Sequence, residues 1–199
     1  MVAVPKPAST VVLVDEQYNV FLTKRPVTMK FLGGFYVFPG GGMESSDREI
    51  ADTHLAGEVE DESLTKGHYI AAARELFEEV GILLGETVHQ TSAILNDSTQ
   101  QSYRKQLLNG TLTFGQLLKR EQLVFNFDCL QFFGQLVTPE RFPIRFDTKF
   151  FLAKLPQGQI PKPNKHEIDE AFWISAEEGL RLNRNKEILL APPTIVVLE

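Results

Sequence analysis

A single cysteine, Cys129, excludes an internal disulfide and any cysteine-rich zinc site. Histidine is scarce and scattered: His54, His68, His89 and His166 show no metal-ligand spacing and read as surface or packing residues. No hydrophobic run reaches transmembrane length, so no membrane partner is expected. The start Met1-Val2-Ala3-Val4-Pro5-Lys6 lacks the apolar core of a secretory signal, which leaves the cytoplasm as the default compartment. Positive charge is in deficit, and a formal net charge of −6 argues against a broad nucleic-acid-binding surface. Repeats and low-complexity linkers are also absent. What remains is 199 residues with 43% hydrophobic content, enough for one sizeable core. The expectation is one domain over residues 1–199, with insertions at about 46–66 and 86–124. Oligomeric state is open, a homodimer included.

The most informative stretch is Ala71-Ala72-Ala73-Arg74-Glu75-Leu76-Phe77-Glu78-Glu79-Val80-Gly81-Ile82. On a helix, Glu75, Glu78 and Glu79 stand at i, i+3 and i+4 and converge, while Ile70, Ala73, Leu76, Phe77 and Val80 supply the apolar stripe. The arrangement is electrostatically unfavourable. Like charges at these spacings repel, and the negative end of the helix dipole penalises acids close to Gly81, the expected stop. Something positive belongs there. Arg74 offsets part of the repulsion, and clustered carboxylates are the ligands that Mg²⁺ or Mn²⁺ takes, above all when the metal also holds phosphates. A solvated acidic helix face is the competing reading. Upstream, Phe38-Pro39-Gly40-Gly41-Gly42-Met43-Glu44 is a glycine turn whose backbone can approach a ligand closely.

Together, this turn and Arg74-Glu75-Leu76-x-Glu78-Glu79-x-Gly81-Ile82 resemble the signature of the Nudix hydrolases. The resemblance implies an α/β/α sandwich with a mixed sheet, here with helical insertions. It also implies Mg²⁺ or Mn²⁺ held by Glu75, Glu78, Glu79 and the Gly41 carbonyl, with Arg74 orienting the glutamates. Glu75 or Glu79 would be the catalytic base, or else a late-loop acid, Glu167 or Glu170. In one respect the motif departs from the family. A further Glu usually lies six positions after the loop glycine and eight before the arginine; counting forward gives Asp47, and counting back gives Lys66. About nineteen additional residues separate the two halves. Their acidity (Asp47, Glu49, Asp52, Glu58, Glu60, Asp61, Glu62) suggests a surface excursion, and Arg74's partner is either Asp47 or an acid of the insert.

Just before the glycine turn, Phe21-Leu22-Thr23-Lys24-Arg25-Pro26, Lys30, Gly34 and Phe38-Pro39-Gly40-Gly41 resemble the coenzyme A diphosphatase branch, with Phe21, Pro26 and Lys30 departing from it. Arg145-Phe146-Asp147-Thr148-Lys149-Phe150-Phe151 and Leu190-Ala191-Pro192-Pro193-Thr194 are similar to long-insert members of that branch. The implied substrate is a small nucleotide, coenzyme A or an acyl derivative, cleaved to 3′,5′-ADP and 4′-phosphopantetheine. Arg25 and Lys30 would bind substrate and favour its 3′-phosphate, with Glu167 and Glu170 also at the substrate. The alternatives are ADP-ribose, dinucleoside polyphosphates or another nucleotide derivative, and a nucleotide sensor that does not hydrolyse.

The remaining pattern gives an α/β order. Residues 10–14 and 19–24 read as a hairpin, 35–38 as a short strand and 68–80 as the acidic helix. Asp97-x-x-Gln100 and Thr113-x-x-Gln116 resemble capping boxes of two further helices, the first stopped by Gly110. Strands are expected at 130–137, 148–155 and 171–174, followed by a helix opened by Ser175-x-x-Glu178.

Overall fold

A computed structural model describes residues 2–59, 61–87 and 92–199; Glu60 and His89 lie outside them. Strands β1 (Lys6–Val14) and β2 (Val20–Lys24) form the expected hairpin, with Val14 opposite Val20. A seven-stranded mixed sheet is built on them. β3 (Tyr36–Val37) pairs with β2, β4 (Gly40–Gly42) pairs with β1, β8 (Phe146–Lys154) lies parallel to β1, β7 (Gln131–Val137) lies antiparallel to β8, and β9 (Glu170–Ile174) pairs with β2.

Alternation along the strands divides the core into two layers. Val11, Leu13, Phe21, Phe151 and Ala153 face α1 (Lys66–Val80), α2 (Asp97–Leu108) and α3 (Phe114–Glu121). Val12, Val14, Val20, Leu22 and Ile174 face α4 (Ala176–Arg184) and α5 (Pro192–Leu198). The result is an α/β/α sandwich. The predicted stripe of α1 is fully inside, with Ile70, Ala73, Leu76, Phe77 and Val80 at 0% exposure, and Gly81 ends the helix at φ 75°, where a side chain would be strained.

Two expectations about the insertions change. The 46–66 segment exposes Glu49, Asp52, Glu58, Asp61 and Glu62, but it is more than a surface excursion. Asp47, Ile50 and Leu64 are buried, the His54 Nδ1 lies 3.1 Å from Leu123 O, and β5 (Leu55–Ala56) pairs in parallel with β6 (Phe125–Asn126) just past the second insertion, so the two insertions brace one another. The cap of α2 is Asn96, whose side chain accepts from the Thr99 N–H, rather than Asp97; Gln100 is thereby free to reach elsewhere. The Thr113 box and the Ser175 cap form as expected.

Candidate active site

The second half of α1 lies against β4 and the turn that follows it, and Arg74 is the centre of what they enclose. Its guanidinium is 3% exposed. Nε and Nη2 donate to the two Asp47 carboxylate oxygens at 3.0 and 3.1 Å, Nη2 also to Gly42 O at 2.8 Å, and Nη1 to Glu75 Oε1 at 2.9 Å and Glu78 Oε2 at 3.4 Å. Asp47, 1% exposed, also accepts the Glu44 N–H at 2.8 Å. The partner left open by the spacing is therefore Asp47. The planar fork of arginine suits this use, because one cation binds a carboxylate in bidentate fashion and still reaches two more acids.

One arginine does not balance these charges. Burial raises the Glu75 carboxyl, with Arg74 opposing and Glu167 and Asp47 adding to the rise. Burial pushes Glu78 up to about 8 against Arg74, helped by Glu75 and Glu44. Glu79 is held well above the usual range by burial and by Glu75, although the Gly40 N–H and Arg25 work the other way. Arg74 itself is buried, which disfavours its charge, but Asp47, Glu75 and Glu78 more than compensate and raise it. These acids are not a solvated helix face: Glu78 is only 6% exposed. Neither do they form a finished coordination shell. Among the described residues, no three His, Cys, Asp or Glu side chains are gathered as metal ligands; Glu75 and Glu78 turn to Arg74 and Glu79 to the Gly40 N–H. The donor chemistry fits a hard divalent cation, since the groups are all oxygens carrying excess negative charge.

Strand register decides what each glycine contributes. Val11 N–H donates to Pro39 O and Met43 N–H to Pro7 O, both at 2.9 Å, so residues 39, 41 and 43 direct their backbone groups toward β1. Gly41, opposite Ser9, therefore spends its carbonyl in the ladder and is not the free ligand expected of it. Its service is space: a Cβ there would lie 2.5 Å from Glu75 Oε1. Gly40 and Gly42 face outward. The Gly40 N–H donates to Glu79 Oε2 at 3.1 Å, and alternation turns its carbonyl to the same side.

The other candidates are separated by the fold. Arg25 offsets the charge of Glu79 and is steadied by its Nε donating to Phe31 O at 3.2 Å. Lys30 is exposed on the 26–34 turn, with no hydrogen bond or ion pair among the described residues. Glu167 belongs with the acids, as its charge raises both Glu75 and Glu79. Glu170 does not. It shares the strand face of Phe172 and Ile174, toward α4 and α5, where it accepts from the Tyr36 hydroxyl at 2.5 Å and lies 3.7 Å from Lys24 Nζ. Its expected place at the site is thus corrected by the side of the sheet on which it falls.

Arg104 of α2 was not foreseen. Its Nε and Nη2 donate to Glu78 O at 3.0 and 2.8 Å, Nη2 to Glu79 O at 2.8 Å, and Nη1 to Lys162 O at 2.8 Å. Gln100, one turn earlier, donates to Gly81 O at 2.7 Å. This is the positive charge that the acidic helix end requires. The signal was a polar pair, Gln100 and Arg104, occupying the buried stripe of α2 with Leu107.

A family model described as "NUDT19 Nudix domain" matches residues 54–199, which include the helix motif. The chain is 30% identical over 191 residues to "Putative nudix hydrolase 7" of Caenorhabditis elegans, covering 96% of this chain and 58% of that protein. It is 25% identical over 221 residues to "Acyl-coenzyme A diphosphatase NUDT19" of Xenopus laevis, covering 88% of this chain and 57% of that protein. The chain thus spans a little over half the length of these curated relatives. A crystal structure of a NUDIX hydrolase from Alicyclobacillus acidocaldarius superposes with a TM-score of 0.83 at 30% identity, covering 98% of this chain and 90% of that one. A buried Arg74 gathering three acids, a glycine turn packed on them and these likenesses agree, and the chain belongs to the Nudix hydrolase family.

Proposed function

We propose that this chain is a Mg²⁺- or Mn²⁺-dependent diphosphatase acting on coenzyme A or its acyl derivatives. The observation that carries the reading is the Arg74-centred group of acids with Arg25 alongside: excess buried carboxylate that calls for a divalent cation, next to a guanidinium suited to phosphate. Glu75, Glu78, Glu79 and the Gly40 carbonyl would hold the metal. When bound, it would neutralise phosphate oxygens and lower the pKa of water. The chain's own groups do the rest. Arg74, fixed by Asp47, keeps Glu75 and Glu78 at the helix surface. Glu167 or Glu79 takes the proton of the attacking water, Glu167 being the late-loop acid that faces the cluster. Arg25 receives the diphosphate. The substrate follows the sequence resemblance and the name of the Xenopus relative.

The test is to incubate the protein with Mn²⁺ and separate panels of coenzyme A, acyl-coenzyme A, ADP-ribose and dinucleoside polyphosphates, with products identified by mass. The expected products from coenzyme A are 3′,5′-ADP and 4′-phosphopantetheine. Efficient cleavage of ADP-ribose or a dinucleoside polyphosphate with coenzyme A untouched would overturn the substrate. Binding without cleavage of any would indicate a sensor.

A further inference from the structure

We infer that Arg104 is a positioning residue for the metal site, an inference that rests on the metal-dependent reading above. The last four carbonyls of a helix have no partner within it. In α1 they belong to the turn carrying Glu78 and Glu79, and each is taken by a group from outside. Glu78 O accepts twice from Arg104; Glu79 O accepts from Arg104 and from the Asn164 N–H at 2.8 Å; Val80 O accepts from the Lys162 N–H at 2.7 Å; Gly81 O accepts from Gln100.

Among the described residues, Arg104 is the one side chain whose hydrogen bonds join the helix end to the 162–168 loop. Through Nη1 it also holds Lys162 O, in the loop whose Asn164 donates from Nδ2 to Glu167 Oε2 at 2.9 Å. The Asn164 carbonyl accepts the Glu167 and Ile168 N–H groups, so the loop turns Glu167 back toward Glu75 and Glu79. Arg104 is 8% exposed and its hydrogen bonds go to carbonyls alone, so it fixes backbone positions and leaves the carboxylates free. Its buried charge also opposes the negative end of the helix dipole beneath the acids. The helical insertion is thus a strut that sets the spacing between the helix acids and the late-loop acid.

The test uses Arg104→Lys in the full chain, because lysine keeps the charge but cannot bridge three carbonyls from fixed directions. Mn²⁺ affinity by calorimetry should weaken by roughly 10-fold or more, the size seen when groups that orient metal ligands are removed. At saturating Mn²⁺ the KM for coenzyme A should change less than twofold. Leu107→Ala, on the same buried face of α2, should lower the melting temperature yet leave the Mn²⁺ Kd unchanged. Asn164→Ala, which removes the Nδ2 bond to Glu167 but keeps the backbone bond to Glu79 O, reports on the loop side of the strut and should lower kcat at saturating Mn²⁺ while leaving the Mn²⁺ Kd unchanged. Unchanged Mn²⁺ affinity in Arg104→Lys, equal weakening by Leu107→Ala, or an unchanged kcat in Asn164→Ala overturns the inference and leaves Arg104 a packing residue. Wild-type protein that binds no Mn²⁺, or a Glu78→Gln variant that binds it as well as wild type, overturns the metal reading itself and this inference with it.

Discussion

Replacing Asp47 with Asn removes one atom's worth of charge and almost no volume, so its effect measures the ion pair at the centre of the site. Asp47 accepts three hydrogen bonds, two from Arg74 and one from the Glu44 N–H, at exposures of 1% for Asp47 and 3% for Arg74. Asparagine keeps one acceptor oxygen and points an NH₂ at a donor. A buried guanidinium then loses its bidentate partner, and breaking such a pair from one side costs about 3–5 kcal/mol. For a chain of this length that corresponds to a fall in melting temperature of roughly 6–20 °C. Glu58→Gln and Glu62→Gln, at exposed positions of the insert, should move it by no more than about 2 °C. Thermal melts at pH 7 in the presence of EDTA separate the cases. A fall below 2 °C for Asp47→Asn, or equal falls for the exposed acids, refutes the assignment of Asp47 as Arg74's partner.

The raised carboxyls give a signed pH dependence. Because Glu75, Glu78 (about 8) and Glu79 bind protons more tightly in the fold than their ordinary value of 4.5, the metal-free protein should lose stability as pH rises from 5 to 8.5. Mn²⁺ should release protons and raise the melting temperature most at the upper end; a metal-free melting temperature that climbs over this window contradicts it. Gly41→Ala should displace Glu75 and weaken Mn²⁺ binding, whereas Gly42→Ala, where a Cβ meets nothing within 4 Å, should not; calorimetry on both decides. Arg25→Ala should lower kcat/KM for coenzyme A and dephospho-coenzyme A alike, since its charge is felt at Glu79. Lys30→Ala should reduce only the preference for the 3′-phosphorylated substrate, and a reversed pattern would exchange their roles.

Much of this was legible in the sequence because it is local. Apolar spacing from Ile70 to Val80 and the stop at Gly81 give the acidic helix without reference to anything distant, and the hairpin follows from two β-branched or apolar runs around Asp15-Glu16-Gln17-Tyr18. Asp47 was ambiguous because counting from the two halves of an interrupted motif leads to different residues; only packing of the insert chooses. The glycine with an outward carbonyl is Gly40 rather than Gly41, since carbonyl direction depends on the pairing of β4 with β1, and a one-residue shift in a strand reverses it. Glu170 and Glu167 are three apart in sequence and on different sides of the protein because β9 begins at Glu170 and imposes its alternation there. Arg104 is remote from the motif, and its spacing with Gln100 and Leu107 on one face of α2 marks it as buried only once that face is known to pack on the end of α1.

The most direct measurement compares wild type with Glu78→Gln for coenzyme A hydrolysis at limiting Mn²⁺. Because burial already disfavours the Glu78 charge, the neutral variant should fold and, without metal, melt at an equal or higher temperature at pH 8. Its kcat/KM should nevertheless fall by at least roughly 100-fold, with partial recovery at high Mn²⁺. Hydrolysis within threefold of wild type, by a folded variant at limiting metal, would contradict the claim that the acids around Arg74 hold the metal that drives the reaction.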